Sequence, residues 1–222
     1  MTEYLMMIDE TPRGTTNDVA TAVAARAALG DRLAAAGALL DSGRLHPSAE
    51  GTRVRADVIE EGPFDRALES YFHVRAQDLP AALALADGFP GEIELRPLMH
   101  GEVQPGKLDR AGKVFAFGAY GNAPDEDSWS RLMDRIEKDT KSGFPEQTFL
   151  GGMRLERPRQ GRKISIAGGK RSVIDGPFYE SKEVIGGLFF MALPSVTDAI
   201  AWAKSSPFLR NGALEIRELW RI

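Results

Sequence analysis

Apolar positions along this chain follow two rhythms that take turns. Short apolar or alternating runs, of roughly the four to eight residues typical of strands, occupy Glu3–Ile8, Leu39–Leu45, Arg53–Ile59, Tyr71–Arg75 and Glu92–Leu98. Between them, apolar residues recur three and four apart. Val19, Ala22, Val23, Leu29, Leu33 and Ala36 predict a helix that starts at a Thr16 or Asn17 cap and stops before Gly37. Leu79, Ala82, Leu83 and Ala86 predict a second helix, with Asp78 as its cap, Pro80 in the first turn and Gly88 beyond its end. The order is strand, helix, strand, strand, helix, strand, with an extra hairpin before the third strand, which is the ferredoxin-like order.

Met99–Gly112 carries Gly101, Pro105, Gly106 and Gly112 among charged residues and reads as a linker. The same cycle then restarts. Val114–Tyr120 is a strand. Ser128 caps a helix with Trp129, Leu132, Met133 and Ile136 on one face, stopped by Gly143. Thr148–Leu155 is the second strand. Arg162–Ala167 and Lys170–Ile174 form a hairpin about Gly168-Gly169, and Leu188–Leu193 follows. Ser195-Val196-Thr197-Asp198 starts a helix lined by Val196, Ala199, Ile200 and Ala203, and Ala213–Leu219 closes the unit.

The chain is therefore expected to be α+β: two ferredoxin-like modules, residues 1–98 and 113–222, joined by a linker at 99–112. Each module has an antiparallel sheet with helices on one face and a bare second face. Two bare faces can cover each other, so the expectation is a pseudo-dimeric α+β barrel packed sheet to sheet within one chain. The alternative is that each half pairs with another molecule as a homodimer. A linker of about 14 residues reaches far enough for either arrangement.

The most specific string is Asp175-Gly176-Pro177-Phe178-Tyr179-Glu180-Ser181-Lys182-Glu183, followed by Gly186-Gly187. A worn copy, Glu61-Gly62-Pro63-Phe64, begins 114 positions earlier. The second copy resembles the DGPF group of YCII-related proteins, named for this motif. Arg154-Leu155 and the terminal Glu215-Ile216-Arg217 carry the resemblance further, as do Gly43-Arg44-Leu45-His46-Pro47 and Glu94-Leu95-Arg96-Pro97 in the first half. The resemblance implies the dimeric α+β barrel fold. It also implies either a His–Asp acid–base pair of the kind a dehydrochlorinase relative uses, or a regulatory role linked to an alternative sigma factor. Functions that need the whole motif belong to the second copy.

Composition narrows the chemistry. With no cysteine there is no disulfide, thiolate metal site or cysteine nucleophile. No apolar run reaches the roughly 20 residues of a spanning helix, and no signal peptide is read, so the cytoplasm and not a membrane is the expected location. Residues 1–112 hold 11 Lys+Arg against 18 Asp+Glu, and residues 113–222 hold 17 against 14. Neither half has a basic stripe interleaved with aromatics, so nucleic acid is not an expected partner. Gly151-Gly152 and Gly186-Gly187 lack the spacing of a nucleotide fingerprint, and no metal-ligand spacing occurs. No cofactor is called for.

The candidate residues follow. Asp175 either caps its own turn or serves as a base at a cavity mouth. His46, at a strand end before Pro47, can act as acid or base near neutral pH, with Glu61 or Asp175 to orient it. Arg44 and Arg154 occupy equivalent strand ends and suit a carboxylate or phosphate, or else a neighbouring acid. Glu180 and Lys182, with Glu183, either line a ligand or solvate a turn. His73 reads as packing, and His100 as a linker residue. The expected activity is small-molecule binding, non-catalytic or regulatory, with a cofactor-free lyase or isomerase built on His46 as the alternative.

Overall fold

The alternation within each strand decides where its side chains go. In the first, β1 (Thr2–Asp9), Leu5 and Met7 turn one way and Tyr4, Met6 and Ile8 the other, and both sets are buried. A strand buried on both faces needs a layer on each side. A computed structural model supplies those layers; it describes residues 1–10, 19–56, 58–64, 67–103, 112–121, 131, 134, 147–167, 170–176, 183–206, 208–209 and 212–220.

The remaining strands are β2 (Leu39–Leu45), β3 (Thr52–Arg55), β4 (Val58–Glu61), β5 (Leu68–Ala76), β6 (Glu92–Val103), β7 (Val114–Gly121), β8 (Phe149–Leu155), β9 (Arg162–Ala167), β10 (Lys170–Asp175), β11 (Val184–Ala192) and β12 (Gly212–Trp220). The described helices are α1 (Val19–Ala35), α2 (Leu79–Leu85) and α3 (Val196–Ser205). Two caps expected from sequence are formed: Ala81 N–H donates to Asp78 Oδ1 (2.9 Å) and Asp198 N–H to Ser195 Oγ (3.2 Å). The helix expected from Ser128 lies outside the described residues apart from Arg131 and Asp134, which are helical. Among the described residues no helix is long and apolar enough to cross a membrane.

Eight strands close a ring in the order β1-β5-β2-β12-β7-β11-β8-β6, and β6 returns to β1. The order within the first half, β6-β1-β5-β2, is matched by β12-β7-β11-β8 in the second. Two seams join the halves. Leu219 and Trp220 of β12 pair with Leu45 and Arg44 of β2, and β6 from Leu98 onward pairs with β8. The strand thus runs five residues past the expected module boundary at Leu98, and those residues bind the halves instead of merely spanning them.

The hairpins are exchanged. β3, with β4 on its outer side, pairs with β12 of the other half, and β9, with β10 outside it, pairs with β6. Leu5, Met7, Tyr71, Leu155, Leu188 and Phe190 fill the barrel interior from both halves. Outside it, α1 and α2 cover Tyr4, Met6, Ile8 and Phe72, while α3 covers Phe115, Phe117, Phe189 and Met191. Phe117 and Phe189 stack at 4.9 Å with Trp202 edge-on to both.

Candidate functional site

Each half ends in a strand that places an acid and an arginine two residues apart, hence on one face: Glu94 and Arg96 on β6, Glu215 and Arg217 on β12. Both arginines are buried to about 1% exposure, an unusual place for a guanidinium unless it is held on several sides. Arg96 donates through Nε and Nη2 to Glu94 Oε1 (3.1 and 2.9 Å) and through Nη1 to the carbonyls of Ile185 (2.9 Å) and Glu156 (3.4 Å). Arg217 is held less completely. Its Nη1 donates to Glu10 Oε1 (2.6 Å) and to the His46 carbonyl (3.0 Å), and its Nε lies 3.1 Å from Glu215 Oε1. Among the described residues its Nη2 is buried with no hydrogen-bond partner, and its Nε meets Glu215 without hydrogen-bond geometry.

The surroundings of Arg217 come from both ends of the chain. Glu10, just past β1, also accepts from Ser48 N–H and Ser48 Oγ, each at 2.6 Å. Arg53 on β3 donates to Glu215 Oε2 (2.6 Å). Its guanidinium lies over the Phe64 ring at 4.5 Å and the Tyr120 ring at 4.9 Å. Gly51 leaves room for the arginine stem, since a Cβ there would sit 2.9 Å from Arg217 Cγ. Burial pushes the Tyr120 phenol well above its ordinary pKa, and the Glu215 carboxylate adds to the effect. The result is a chain of alternating charges, Glu10, Arg217, Glu215 and Arg53, walled by two aromatic rings; among the described residues Arg217 Nε and Nη2 and Arg53 Nε find no hydrogen-bond acceptor.

Of the described residues singled out from sequence, His46 contacts this group of charges, while Asp175, Arg44, Arg154 and His73 have their contacts elsewhere on the barrel. His46 supplies the carbonyl that Arg217 binds; its ring stacks on Trp220 at 4.1 Å, with Nδ1 3.0 Å from Glu50 Oε2. Asp175 is exposed at the end of β10 and takes Arg162 Nε at 2.7 Å, its cross-strand neighbour. Arg44 shares the Glu69 carboxylate with Arg26, at 3.3 and 2.6 Å. Arg154 is half-buried on β8, opposite Gly187 of β11 and His100 of β6. Glu180 and Lys182 lie outside the described residues. Their neighbour Glu183 crosses to the other half and forms a two-point pair with Arg55 of β3, with Nη2 to Oε2 at 2.9 Å. His73 is buried beside Glu3, with Nε2 2.9 Å from Oε2.

Nothing in the sequence pattern marked Glu10, and Arg217 stood out only as part of a family-like ending. The usable signal was the repetition of an acid–apolar–arginine triplet inside an apolar strand in both halves. Among the described residues no group of His, Asp and Glu is arranged to hold a metal ion.

Residues 146–222 match the family model of the YCII-related domain. No curated protein matches the chain. A solved structure described as a candidate chlorite dismutase is similar at a TM-score of 0.43 and 9% identity, covering 100% of this chain and 96% of its own.

Proposed function

We propose that this protein is a YCII-related, small-molecule-binding barrel whose ligand meets Arg217 where the two halves join. The halves are read as ferredoxin-like modules duplicated in tandem, the second carrying the intact motif and the first much of the ligand-facing surface. The observation that carries the reading is Arg217 Nη2, buried and without an acceptor among the described residues. A desolvated guanidinium N–H without an acceptor is costly, and a ligand carbonyl or carboxylate oxygen would satisfy it. Phe64 and Tyr120 offer flat apolar surface for the body of such a molecule.

Binding without turnover is favoured because the four charges satisfy one another in sequence. A general acid or base has to be poised to exchange a proton with substrate, and none of the four carboxylate and guanidinium groups is left so poised. The test is a thermal-shift screen of small organic acids, amides and phenols against the wild-type protein and Arg217→Lys. The lysine keeps the positive charge and lacks the second Nη. Ligands that stabilise the wild type are expected to lose their effect in the variant and to be recovered chemically unchanged. Hits indifferent to the substitution would overturn the reading, as would recovery of a converted compound.

A second reading rests on the contact between His46 and Glu50. A carboxylate on Nδ1 fixes the ring and directs Nε2 outward, the arrangement a cofactor-free lyase or isomerase uses for proton transfer. In any turnover assay that reports activity, His46→Ala would then abolish it while Asp175→Asn, altering an exposed carboxylate paired with Arg162, would not.

A further inference from the structure

Two strands end the sheets at an open edge: among the described residues β4 pairs only with β3, and β10 only with β9. Both expose aliphatic side chains, Val58 and Ile59 on one and Val173 and Ile174 on the other. An uncovered edge is a template for another strand unless charge, length or shape blunts it. The two edges differ in this respect. β4 has four residues, half of them glutamates, so registers that pair two copies along the strand set Glu60 against a glutamate or against an aliphatic residue. β10 has six residues, all exposed, with Arg171 before its aliphatic pair and Asp175 after it.

The hydrogen-bond directions of β10 are fixed by its neighbour. Gly176 N–H donates to the Gly161 carbonyl, and on the next strand Ile166 N–H donates outward to Gly91. By alternation, Lys170, Ser172 and Ile174 bond to β9, while the N–H and C=O groups of Arg171, Val173 and Asp175 face the open edge.

We propose that two copies of this chain join through β10 as an antiparallel pair, with the two-fold axis at Val173. A two-fold axis perpendicular to a sheet keeps each face on its own side, so it demands pairing between residues of the same facing. Centring it on Val173 meets that demand. Val173 then exchanges its bonds with Val173 of the second copy, and Arg171 exchanges with Asp175 of the second copy, twice by symmetry. The backbone groups that pair are the ones left open, and the side chains brought opposite each other carry opposite charge. Arg171 and Asp175 are already held in place within the chain, by Asp87 (2.7 Å) and Arg162 (2.7 Å), so pairing orders little that was free. The contact is isologous and closes at two copies. A β4-to-β10 contact would not close. The two hairpins hang from β12 and β6, which stand on opposite sides of the eight-strand ring, and joining them would build an open chain.

Sedimentation velocity of the full chain over a wide concentration range tests this. The wild type is expected to show a reversible monomer–dimer equilibrium. Val173→Pro removes an N–H that faces the edge and is used by no described neighbour within the chain, and it is expected to leave a folded monomer. Arg171→Asp and Asp175→Arg are each expected to weaken the dimer about tenfold or more, since each sets like charges together twice. Combining the two charge changes restores opposition across the axis and is expected to restore the dimer. A wild type monomeric at every concentration would overturn the proposal, and so would a dimer indifferent to Val173→Pro. Open-ended oligomers would point to the β4 edge instead. Failure of the double charge exchange to recover the dimer would overturn the register.

Discussion

Gly62 lies so close to Ser48 that a Cβ at position 62 would stand 1.6 Å from the Ser48 carbonyl oxygen. Gly176 has the same relation to Pro158 in the other half, at 2.0 Å. In both copies the motif glycine is also tied down by its own N–H, to Gly51 and Gly161. The glycine of the signature is therefore a docking surface for the short 3-10 turn that precedes each hairpin. Gly176→Ala and Gly62→Ala are each expected to lower stability by about 1–3 kcal/mol or more, because backbone and not a flexible side chain must move. Asp175→Ala, one residue away and exposed, is expected to cost less than about 1 kcal/mol. Urea unfolding of the three variants checks the contrast; equal losses would refute it.

Arg217 neutralises two carboxylates from elements far apart in sequence. Arg217→Met would remove the cation that the half-buried Glu10 and the buried Glu215 share, with an expected loss of about 3–5 kcal/mol. Arg217→Lys retains the charge and is expected to lose less. Denaturant titration separates these outcomes, and a methionine variant as stable as the lysine variant would show that the two carboxylates need no cation.

The Arg55–Glu183 pair ties the motif of one half to the hairpin of the other. Hydrogen bonding from Arg55 holds the Glu183 carboxyl below its ordinary pKa against the opposing effect of burial. Because the folded value is the lower one, the stabilisation is complete above the usual glutamate range. It is lost as pH falls through the depressed value. Melting temperature is therefore expected to decline on acidification, and Glu183→Gln to flatten that decline while lowering stability at neutral pH. An acid limb unchanged in the variant would rule the pair out as a contributor.

Tyr71 and Tyr120 both have phenols raised well above the ordinary value, by burial first and then by Asp41 and Glu215 respectively. Their neutral forms favour the folded state, so this stabilisation is whole below the unfolded tyrosine pKa and falls away at higher pH. Phenolate absorbance is expected to rise in two stages, the later one coinciding with loss of the folded circular-dichroism signal. Tyr120→Phe should reduce the amplitude of the later stage alone.

Much of the fold was legible because local rules and tertiary structure agree. Asp78 and Ser195 cap the helices that their spacing announced, and β9 and β10 occupy the two arms read on either side of Gly168-Gly169, a pair outside the described residues, whereas the run Arg53–Ile59 divides into β3 and β4. Strand partners were not legible. Nothing in the period-two pattern of β12 says that its first residues face Val54 and its last face Leu45, since alternation fixes a face and not a neighbour. The site was hidden for the same reason. Glu10 and Arg217 stand 207 positions apart, and each looks like an ordinary solvated charge until the barrel closes around both. His46 was noticed for its imidazole, while the structure engages its backbone carbonyl as well.

The exchange of hairpins has a consequence for synthesis on the ribosome. The N-terminal half emerges early, yet β3 finds its second partner, beyond β4, only on β12, the last strand described. Until β12 clears the exit tunnel, β2 and β3 both lack the neighbour that completes their sheets, and Arg53 lacks Glu215. The first half therefore stays partly built until β12 has been made. Message truncated anywhere in the last strand would release a chain with an open seam, well suited to recognition by quality-control proteases.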